Sequence, residues 1–345
     1  MCLVLQFSLK PNIHYFTIMT SIRTVLAAIL LTGIAIDAEP TYPDATIAAG
    51  GVSLTIKLPD PQKGYYRGPR FDWSSCVSIV KFKGHTFFGN WQGAKKHSPR
   101  NHDDIMGIGG EFGMGTTGMP GGLGYGLVKA GGPFTKIGVG VLLREANPYM
   151  FFRPYKVKSS GEWKIQKSDS QLTLTHTLTG PNGYAYILRR VYIAEPKLPG
   201  FRVSCTLENK GEKPILQSYY AHNFVIIDGK PTGPGYEVTA PFELTANRDL
   251  QGFAKTEGKK LFFLKPVKAG VFTELKGFNS KPEHNTCTVS HKKAGASVTI
   301  KGDQPFHAFN FFFTPNTLCP EFFIKIDLKP GEKMTWTDTY TLSVD

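Results

Sequence analysis

The sequence NTLCPEFFIKIDLKPGEKMTWTDTY, residues 316–340, contains two segments of alternating apolar and polar side chains on either side of a Pro-Gly-Glu turn. Every second position in these segments is apolar, at Ile324, Ile326, Leu328, Met334 and Trp336. A period of two is typical of a β-strand that buries one face, because successive side chains of a strand point to opposite sides. The stretch therefore predicts a β-hairpin with one buried face.

One acidic residue, Glu321, stands just before the first of these strands. It lies between Pro320 and two phenylalanines, Phe322 and Phe323, so its carboxylate is placed at a strand end in apolar company. Such surroundings suit a general base. Residue type alone favours a plainer role, in which the carboxylate caps or solvates the strand end.

The rest of the 345-residue chain continues this pattern. It is 41% hydrophobic, with 37 Gly and 24 Pro, and short alternating segments are separated by turns rich in Gly, Pro and Asn. A chain of this length and composition buries a large core. We therefore expect an all-β fold, with one folded domain over residues 48–343.

The formal net charge of +13 comes from 40 Lys and Arg against 27 Asp and Glu. Such a charge suits nucleic acid or an acidic glycan as a partner. The basic residues form scattered pairs, such as Lys95-Lys96 and Lys292-Lys293, without a dense basic helix or a known binding motif. The pattern indicates a solvated basic surface, so we expect no nucleic-acid partner and leave an acidic polysaccharide open.

Residues 1–38 have the layout of a leader. Arg23 precedes an apolar run over residues 25–36, which is too short to span a bilayer comfortably and ends before Asp37 and Glu39. We interpret this segment as a secretory signal. The protein would then be exported to the periplasm or outside the cell, and would meet a membrane only through its leader. An uncleaved membrane anchor is the alternative.

Four cysteines follow the leader: Cys76, Cys205, Cys287 and Cys319. In an exported protein they permit up to two disulfides in three pairings, among which the sequence does not choose. No two of them form a CxxC pair, so a zinc site made of thiolates is not expected. We predict neither a metal nor a cofactor.

The segment GYYRGPRFDW, residues 64–73, gathers charged and aromatic side chains. Aromatic rings stack on the C–H-rich faces of sugars, and Arg and Asp bind sugar hydroxyls through paired hydrogen bonds. We predict Arg67, Arg70, Asp72 and Trp73 as substrate contacts. The alternative, held equally, is a structural Arg–Asp pair with the aromatic rings in the core.

Residues 85–135 are rich in Gly and His and predict a long loop folded over one end of a sheet. His102, Asp103, Asp104 and Glu111 within it carry side chains that bind metals. Their spacing matches no standard metal site, so a metal is not expected there. The glycines do not open a helix after a strand, and a dinucleotide site is therefore excluded.

The segment YYAHNFVIIDG, residues 219–229, places His222 and Asn223 together in an apolar strand. A histidine suits proton transfer, because its pKa lies near neutrality and it can both give and recover a proton. A lone histidine beside aromatic residues is more often a hydrogen-bonded core residue, and this alternative stays open.

Two of these motifs resemble those of aldose 1-epimerases. Cys319 and Glu321 with the following strand, the Pro-Gly-Glu turn and Tyr340 look like the C-terminal end of that family, and YYAHNF resembles its histidine motif. The resemblance implies a galactose mutarotase-like antiparallel β-supersandwich that holds a sugar. It also implies that Glu321 takes the proton of the anomeric hydroxyl and that His222 protonates the ring oxygen. We add Asn223 to the predicted substrate contacts.

The resemblance is incomplete at two positions. Met106 and Gly107 stand where the family carries an N-terminal catalytic histidine, and Glu274 is the acid nearest to the place of its substrate-binding aspartate. The first functional hypothesis is mutarotation of a sugar by acid–base ring opening, without metal or cofactor. The alternatives are a carbohydrate-binding protein without catalysis and a lyase on an acidic polysaccharide.

The predicted site residues are also expected to lie together. His222 and Glu321 both lie near the ends of apolar strands, and neighbouring strands of a sheet are about 5 Å apart. We therefore expect Arg67, Arg70 and Asp72 to join His222 and Glu321 on one rim of the sheet.

Overall fold

The computed structural model describes residues 41–116 and 118–345, and the chain from Thr41 to Asp345 forms one compact unit. The predicted leader over residues 1–38 lies outside the described residues. The regular secondary structure of the described part is almost entirely antiparallel strands. No helix in it is long and apolar enough to cross a membrane.

The strands, in chain order, are β1 (Asp44–Ala49), β2 (Val52–Lys57), β3 (Val77–Phe82), β4 (His85–Phe87), β5 (Ile108–Phe112), β6 (Pro133–Lys136), β7 (Gly140–Leu143), β8 (Val157–Ser159), β9 (Glu162–Lys167), β10 (Gln171–Thr179), β11 (Ala185–Ala194), β12 (Gly200–Asn209), β13 (Ile215–Asn223), β14 (Tyr236–Thr239), β15 (Thr245–Ala246), β16 (Ala254–Glu257), β17 (Lys260–Phe263), β18 (Val271–Lys276), β19 (Thr286–His291), β20 (Ala296–Gly302), β21 (Ala308–Thr314), β22 (Thr317–Leu328) and β23 (Lys333–Val344). Within the residues that the structure describes, three short 3₁₀ helices accompany them, at Tyr125–Leu127, Pro282–His284 and Lys292–Ala294.

Two 10-stranded sheets and one 3-stranded sheet contain these strands. The first large sheet has the order β1-β2-β3-β5-β13-β22-β21-β18-β15, with β4 paired to β3. The second has the order β16-β17-β14-β19-β20-β23-β12-β11-β10-β9, and β6-β7-β8 form the small sheet. The prediction of an all-β antiparallel fold is confirmed.

One apolar core joins the two large sheets. The ring of Trp336 from β23 lies with its centroid 4.9 Å from Tyr219 of β13 and 6.1 Å from Phe112 of β5. Burial of such aromatic side chains contributes about 1.5–3 kcal/mol each relative to exposure. The core thus fixes β5 and β13 side by side, which matters for the site described below.

The predicted hairpin at residues 324–336 is wrong in its pairing, although both of its strands exist. β22 pairs with β13 and β21 in the first sheet, whereas β23 pairs with β12 and β20 in the second. The turn, in which Gly331 has φ of 81°, therefore crosses from one sheet to the other. Alternation shows that each strand has one buried face, and two such faces pack against each other across a sandwich as well as they share one sheet.

The predicted loop over residues 85–135 contains β4 and β5. All five residues of β5, Ile108–Phe112, are buried. Its sequence IGGEF has no alternation of apolar and polar residues, because the strand is covered on both faces. This is the physical reason why the pattern did not reveal it.

The cysteines following the predicted leader are Cys76, Cys205, Cys287 and Cys319, and all four are free buried thiols. No disulfide therefore forms among the residues that the structure describes.

Candidate functional site

Strand alternation divides the side chains of the first large sheet between the core and an outer face. In β13, Tyr219 and Ala221 belong to the core. Because successive side chains of a strand point to opposite faces, Tyr220 and His222 lie on the outer face. In β22, Phe322 belongs to the core, so Glu321 also lies on the outer face. The predicted acid and base are thus on the same side of one sheet.

The strand register aligns five residues of the outer face across neighbouring strands. His222 pairs with Gly109 of β5, Glu321 with Asn310 of β21, and Asn310 with Glu274 of β18. β13 and β22 pair Tyr219 with Ile324 on one side and Val225 with Leu318 on the other. Both pairs have the same register, which places His222 opposite Glu321. We call Gly109, His222, Glu321, Asn310 and Glu274 the central row.

His222 and Glu321 are in direct contact. Their Nδ1 and Oε1 atoms are 2.9 Å apart. The two residues are only 6% and 3% exposed. Burial by itself lowers the pKa of His222, but the negative charge of Glu321 and hydrogen bonds to Glu111 and Glu321 outweigh it, so that the pKa is raised above its ordinary value. A protonated His222 can therefore share its Nδ1 proton with the carboxylate of Glu321.

The other nitrogen of His222 is fixed by a short chain of hydrogen bonds. Its Nε2 lies 2.8 Å from the hydroxyl of Tyr220, and that hydroxyl donates to Glu111 Oε2 at 2.5 Å. Since the only hydroxyl proton of Tyr220 goes to Glu111, Nε2 must donate its own proton to the tyrosine oxygen. Nδ1 is then the nitrogen free to exchange a proton with Glu321.

Glu111 is the last acceptor in this series of hydrogen bonds. It is completely buried, Arg70 Nε donates to its Oε2 at 2.8 Å, and Lys136 Nζ lies 3.4 Å from its Oε1. Burial raises the pKa of the carboxyl, but Arg70 and Lys136 outweigh burial and hold the pKa well below its usual range. Burial in turn lowers the pKa of Lys136 to about 8, an effect that the charge of Glu111 opposes. Glu111 is accordingly a fixed negative charge.

From the sequence, Glu111 was weighed only as a metal ligand, and no role was predicted for Lys136. The signal that was present is local: Glu111 stands directly before Phe112, as Glu321 stands directly before Phe322. An acid beside an aromatic residue in an otherwise apolar strand marks a buried carboxylate in both cases.

The structure brings Arg70 of the 64–73 segment to His222, together with Phe71, whose ring packs edge-on against the imidazole with a centroid distance of 4.9 Å. The guanidinium of Arg70 lies 4.6 Å and 4.3 Å from the ring centroids of Phe71 and Phe151, and Nη2 lies 3.4 Å from His222 Nε2. It also forms an ion pair with Asp103. Its donors are therefore used inside the protein, and it supports His222 and Glu111 from the side.

Asp72, predicted as a substrate contact, lies elsewhere. It is fully buried and forms an ion pair with Arg190 at 2.7 Å, and its Oδ1 accepts from the hydroxyl and the backbone N–H of Ser74. Trp73 donates its indole N–H to the carbonyl of Gly68 at 2.9 Å. The alternative of a structural Arg–Asp pair with buried aromatic rings describes these two residues.

Arg67 and Asn223 are likewise held by internal partners. Arg67 Nη1 donates to the carbonyl of Gln62. Asn223 donates to the carbonyl of Pro320 at 2.9 Å and accepts from the hydroxyl of Tyr340 at 2.8 Å. Asn223 follows His222 in the strand, so its side chain points to the core instead. Neither residue belongs to the central row. Of Arg67, Arg70 and Asp72, which were expected to lie on one rim with His222 and Glu321, only Arg70 lies beside His222.

The candidate metal set in residues 102–111 does not assemble. His102 bonds to Asp103 at 3.0 Å, Asp104 bonds to Lys95 at 2.9 Å, and Glu111 faces Arg70. Among the described residues, a different trio brings metal-binding atoms together: His222, Cys319 and Glu321, each with one such atom, all within 4.8 Å of one another.

A cavity of about 460 Å³ is lined by residues that do not include His222, Cys319 or Glu321. Its lining includes Trp91, His102 and Asp103. Trp91 stacks on Phe224 with a centroid distance of 5.1 Å, and Phe224 stacks on His222 at 5.4 Å. Two successive aromatic rings, Trp91 and Phe224, therefore connect the wall of the cavity to His222.

The fold and this site define an antiparallel β-supersandwich with an acid–base pair on the outer face of one sheet. Among solved structures, a galactose mutarotase-like protein from Clostridium acetobutylicum is similar with a TM-score of 0.55 and 12% identity, over 88% of this chain and 96% of its own. A galactose mutarotase-like protein from Lactobacillus casei ATCC 334 gives 0.53 and 13%, over 87% and 100%.

An aldose epimerase homologue from C. elegans gives a TM-score of 0.53 and 11% identity, over 88% of this chain and 100% of its own. No family model matches the chain, and no curated protein matches its sequence. The chain therefore has the galactose mutarotase-like fold that the motifs predicted, and at these identities the similarity shows the fold alone.

Proposed function

We propose that this protein acts on a sugar ring as an aldose 1-epimerase-like enzyme, with Glu321 as base and His222 as acid. The observation that carries the proposal is the contact of His222 Nδ1 with Glu321 Oε1 on the outer face of the sheet. The similarity to galactose mutarotase-like and aldose epimerase structures supports a sugar as the ligand. Export by the predicted leader belongs to the same proposal.

The two groups divide the proton transfers of ring opening between them. Glu321 takes the proton of the anomeric hydroxyl while His222 gives its Nδ1 proton to the ring oxygen, so that the C1–O5 bond breaks and an open-chain aldehyde forms. Rotation about C1–C2 and the reverse transfers close the ring as either anomer. Each cycle restores both groups, since the proton gained by Glu321 returns to the sugar and His222 recovers its own.

The surrounding network prepares His222 for this role. Tyr220 and the fixed charge of Glu111 hold Nε2–H, which directs Nδ1 toward Glu321. The raised pKa of His222 favours the protonated imidazole, which is the form that a general acid requires. A sugar must replace the direct contact of His222 with Glu321, so binding includes the separation of these two side chains.

The test is exchange between α and β anomers, measured by two-dimensional NMR on sugars labelled with ¹³C at C1. Wild-type protein should accelerate exchange of at least one common aldose. Glu321→Gln should slow it by about 10²–10⁴-fold, because the amide cannot accept the hydroxyl proton.

The matched control is Glu162→Gln, an exposed residue of β9 in the other large sheet, which should leave exchange unchanged. Exchange by Glu321→Gln at the wild-type rate for every aldose tested would show that the proposal is wrong.

A second candidate is a carbohydrate-binding protein without catalysis. The observation in its favour is that His222 and Glu321 satisfy each other and are almost fully buried. Titration calorimetry that detects sugar affinity, with no anomer exchange on the same sugars, would favour binding alone. Exchange above the rate in buffer would exclude it.

A further inference from the structure

Cys319 is a buried thiol that the proposed mechanism does not use. It lies on the outer face of β22, two residues before Glu321. Its Sγ is 3.4 Å from Glu321 Oε1 and 3.8 Å from His222 Nδ1. With the 2.9 Å between Nδ1 and Oε1, three atoms of the types that bind zinc form one small triangle.

The size of this triangle fits one face of a zinc tetrahedron. Zinc bonds of about 2.0–2.1 Å to nitrogen and oxygen and about 2.3 Å to sulfur place tetrahedral ligands roughly 3.3 Å apart for N and O, and roughly 3.6 Å apart for S and either. Each observed edge lies within about half an ångström of these values. Small side-chain rotations therefore suffice to surround an ion.

The second layer of contacts also suits a bound metal. A histidine that binds a metal usually donates its other N–H to a hydrogen-bond acceptor, which fixes the tautomer. His222 donates Nε2–H to Tyr220, which is held by Glu111, so Nδ1 presents its lone pair once its proton has left. A thiolate and a carboxylate together balance the two charges of the ion, which matters in a site buried this deeply.

We infer that His222, Cys319 and Glu321 form a zinc site, with water in the fourth position. This site goes beyond the proposed function. The metal would occupy the lone pairs that acid–base catalysis needs, so zinc would inhibit mutarotation. Binding requires that the Cys319 thiol and His222 Nδ1 each release a proton to solvent.

The test uses the full-length protein stripped with EDTA and then titrated with Co²⁺, which replaces zinc and gives visible spectra. One Co²⁺ per chain should produce a thiolate-to-cobalt charge-transfer band together with the visible bands of tetrahedral coordination. Zinc should displace the cobalt and remove both signals.

Cys319→Ser should abolish the charge-transfer band and weaken zinc binding by at least about tenfold. Cys287→Ser, which changes a buried free thiol of β19 in the other sheet, should keep both. If Cys319→Ser does not fold, Tyr220→Phe provides the second test. It should keep the band but weaken zinc about 10–100-fold through loss of the partner of Nε2–H.

A wild-type spectrum without the thiolate band, or a band that persists in Cys319→Ser, would overturn the inference. Mutarotation is measured separately in excess EDTA. Activity there supports the proposed function whatever the metal result, and a cobalt spectrum without such activity supports only the zinc site.

Discussion

Glu111 concentrates more charged contacts than any other carboxylate of the site, and its removal has a clear expected cost. Glu111→Gln would leave Arg70 and Lys136 buried without their common negative partner. Breaking a buried ion pair by removing one member costs about 3–5 kcal/mol. Urea unfolding should show a loss of this size, whereas Glu162→Gln at the surface should change the free energy of unfolding by less than about 0.5 kcal/mol. Equal stabilities of the two variants would contradict this account of Glu111.

The same carboxylate should give the protein an acid-side pH dependence. Its folded pKa lies below the ordinary value of 4.5, because Arg70 and Lys136 outweigh burial. A carboxyl with a depressed folded pKa contributes stability above its unfolded pKa and loses that contribution as pH falls through the folded pKa. The stability difference between wild type and Glu111→Gln should thus stay constant from about pH 7 to about pH 5 and narrow at lower pH. A difference that widens in acid would show the opposite shift.

At the scale of single residues, motif and chemistry together predicted His222 and Glu321, and the structure places them in contact. Residue type could not tell Arg70 from Arg67, since both stand in one short segment and only one faces His222. The position of Glu111 before Phe112 indicates a buried carboxylate, but the sequence does not indicate its partners. Its role depends on partners 25 to 111 positions away in the chain, such as Lys136 and His222, which no local pattern reports.

At the scale of elements, the start of β5 determines where Glu111 stands. Gly107 has φ of 67°, its carbonyl accepts from the backbone N–H of Phe224, and a Cβ there would lie 1.7 Å from the carbonyl oxygen of Val77. Gly107→Ala should therefore cost more than the about 1–2 kcal/mol of a left-handed alanine. The overpacking adds about 1–3 kcal/mol.

Gly84→Ala is the matched control for this substitution. Gly84 has φ of 83° with nothing within 4 Å of the added Cβ, so it carries the conformational cost without the clash. Urea unfolding of both variants measures the difference. Equal losses would mean that the chain tolerates a shift of the residue directly before β5.

Strands in which apolar and polar residues alternate could be predicted from the sequence, but the strands with which they pair could not. Apolar alternation located β23 and the C-terminal part of β22, where one face is buried and the other is exposed. It gave no information on which sheet each strand joins. Only β21 is next to β22 in the sequence, whereas β12, β13 and β20, the other strands that pair with β22 or β23, lie farther away. β5 was missed because a strand that is covered on both faces shows no alternation.

At the scale of the whole molecule, the sandwich brings five strands from distant parts of the chain into one central row. The short segments and frequent turns predicted the all-β class, and the motif resemblance predicted the galactose mutarotase-like arrangement that the solved structures share. The sequence alone could not show that Asp72 belongs to Arg190. That ion pair depends on how the 64–73 segment packs against β11, which is a property of the complete fold.

The central claim is that a sugar binds at His222 and Glu321. The most direct measurement is a crystal structure of the wild-type protein soaked with mixed monosaccharides, which is feasible because mutarotation leaves an equilibrium mixture of anomers unchanged. We predict a sugar between the two side chains, with its anomeric hydroxyl within hydrogen-bond distance of Glu321 and its ring oxygen facing His222 Nδ1. A sugar bound only in the cavity beside Trp91, with His222 and Glu321 still in direct contact, would contradict the claim.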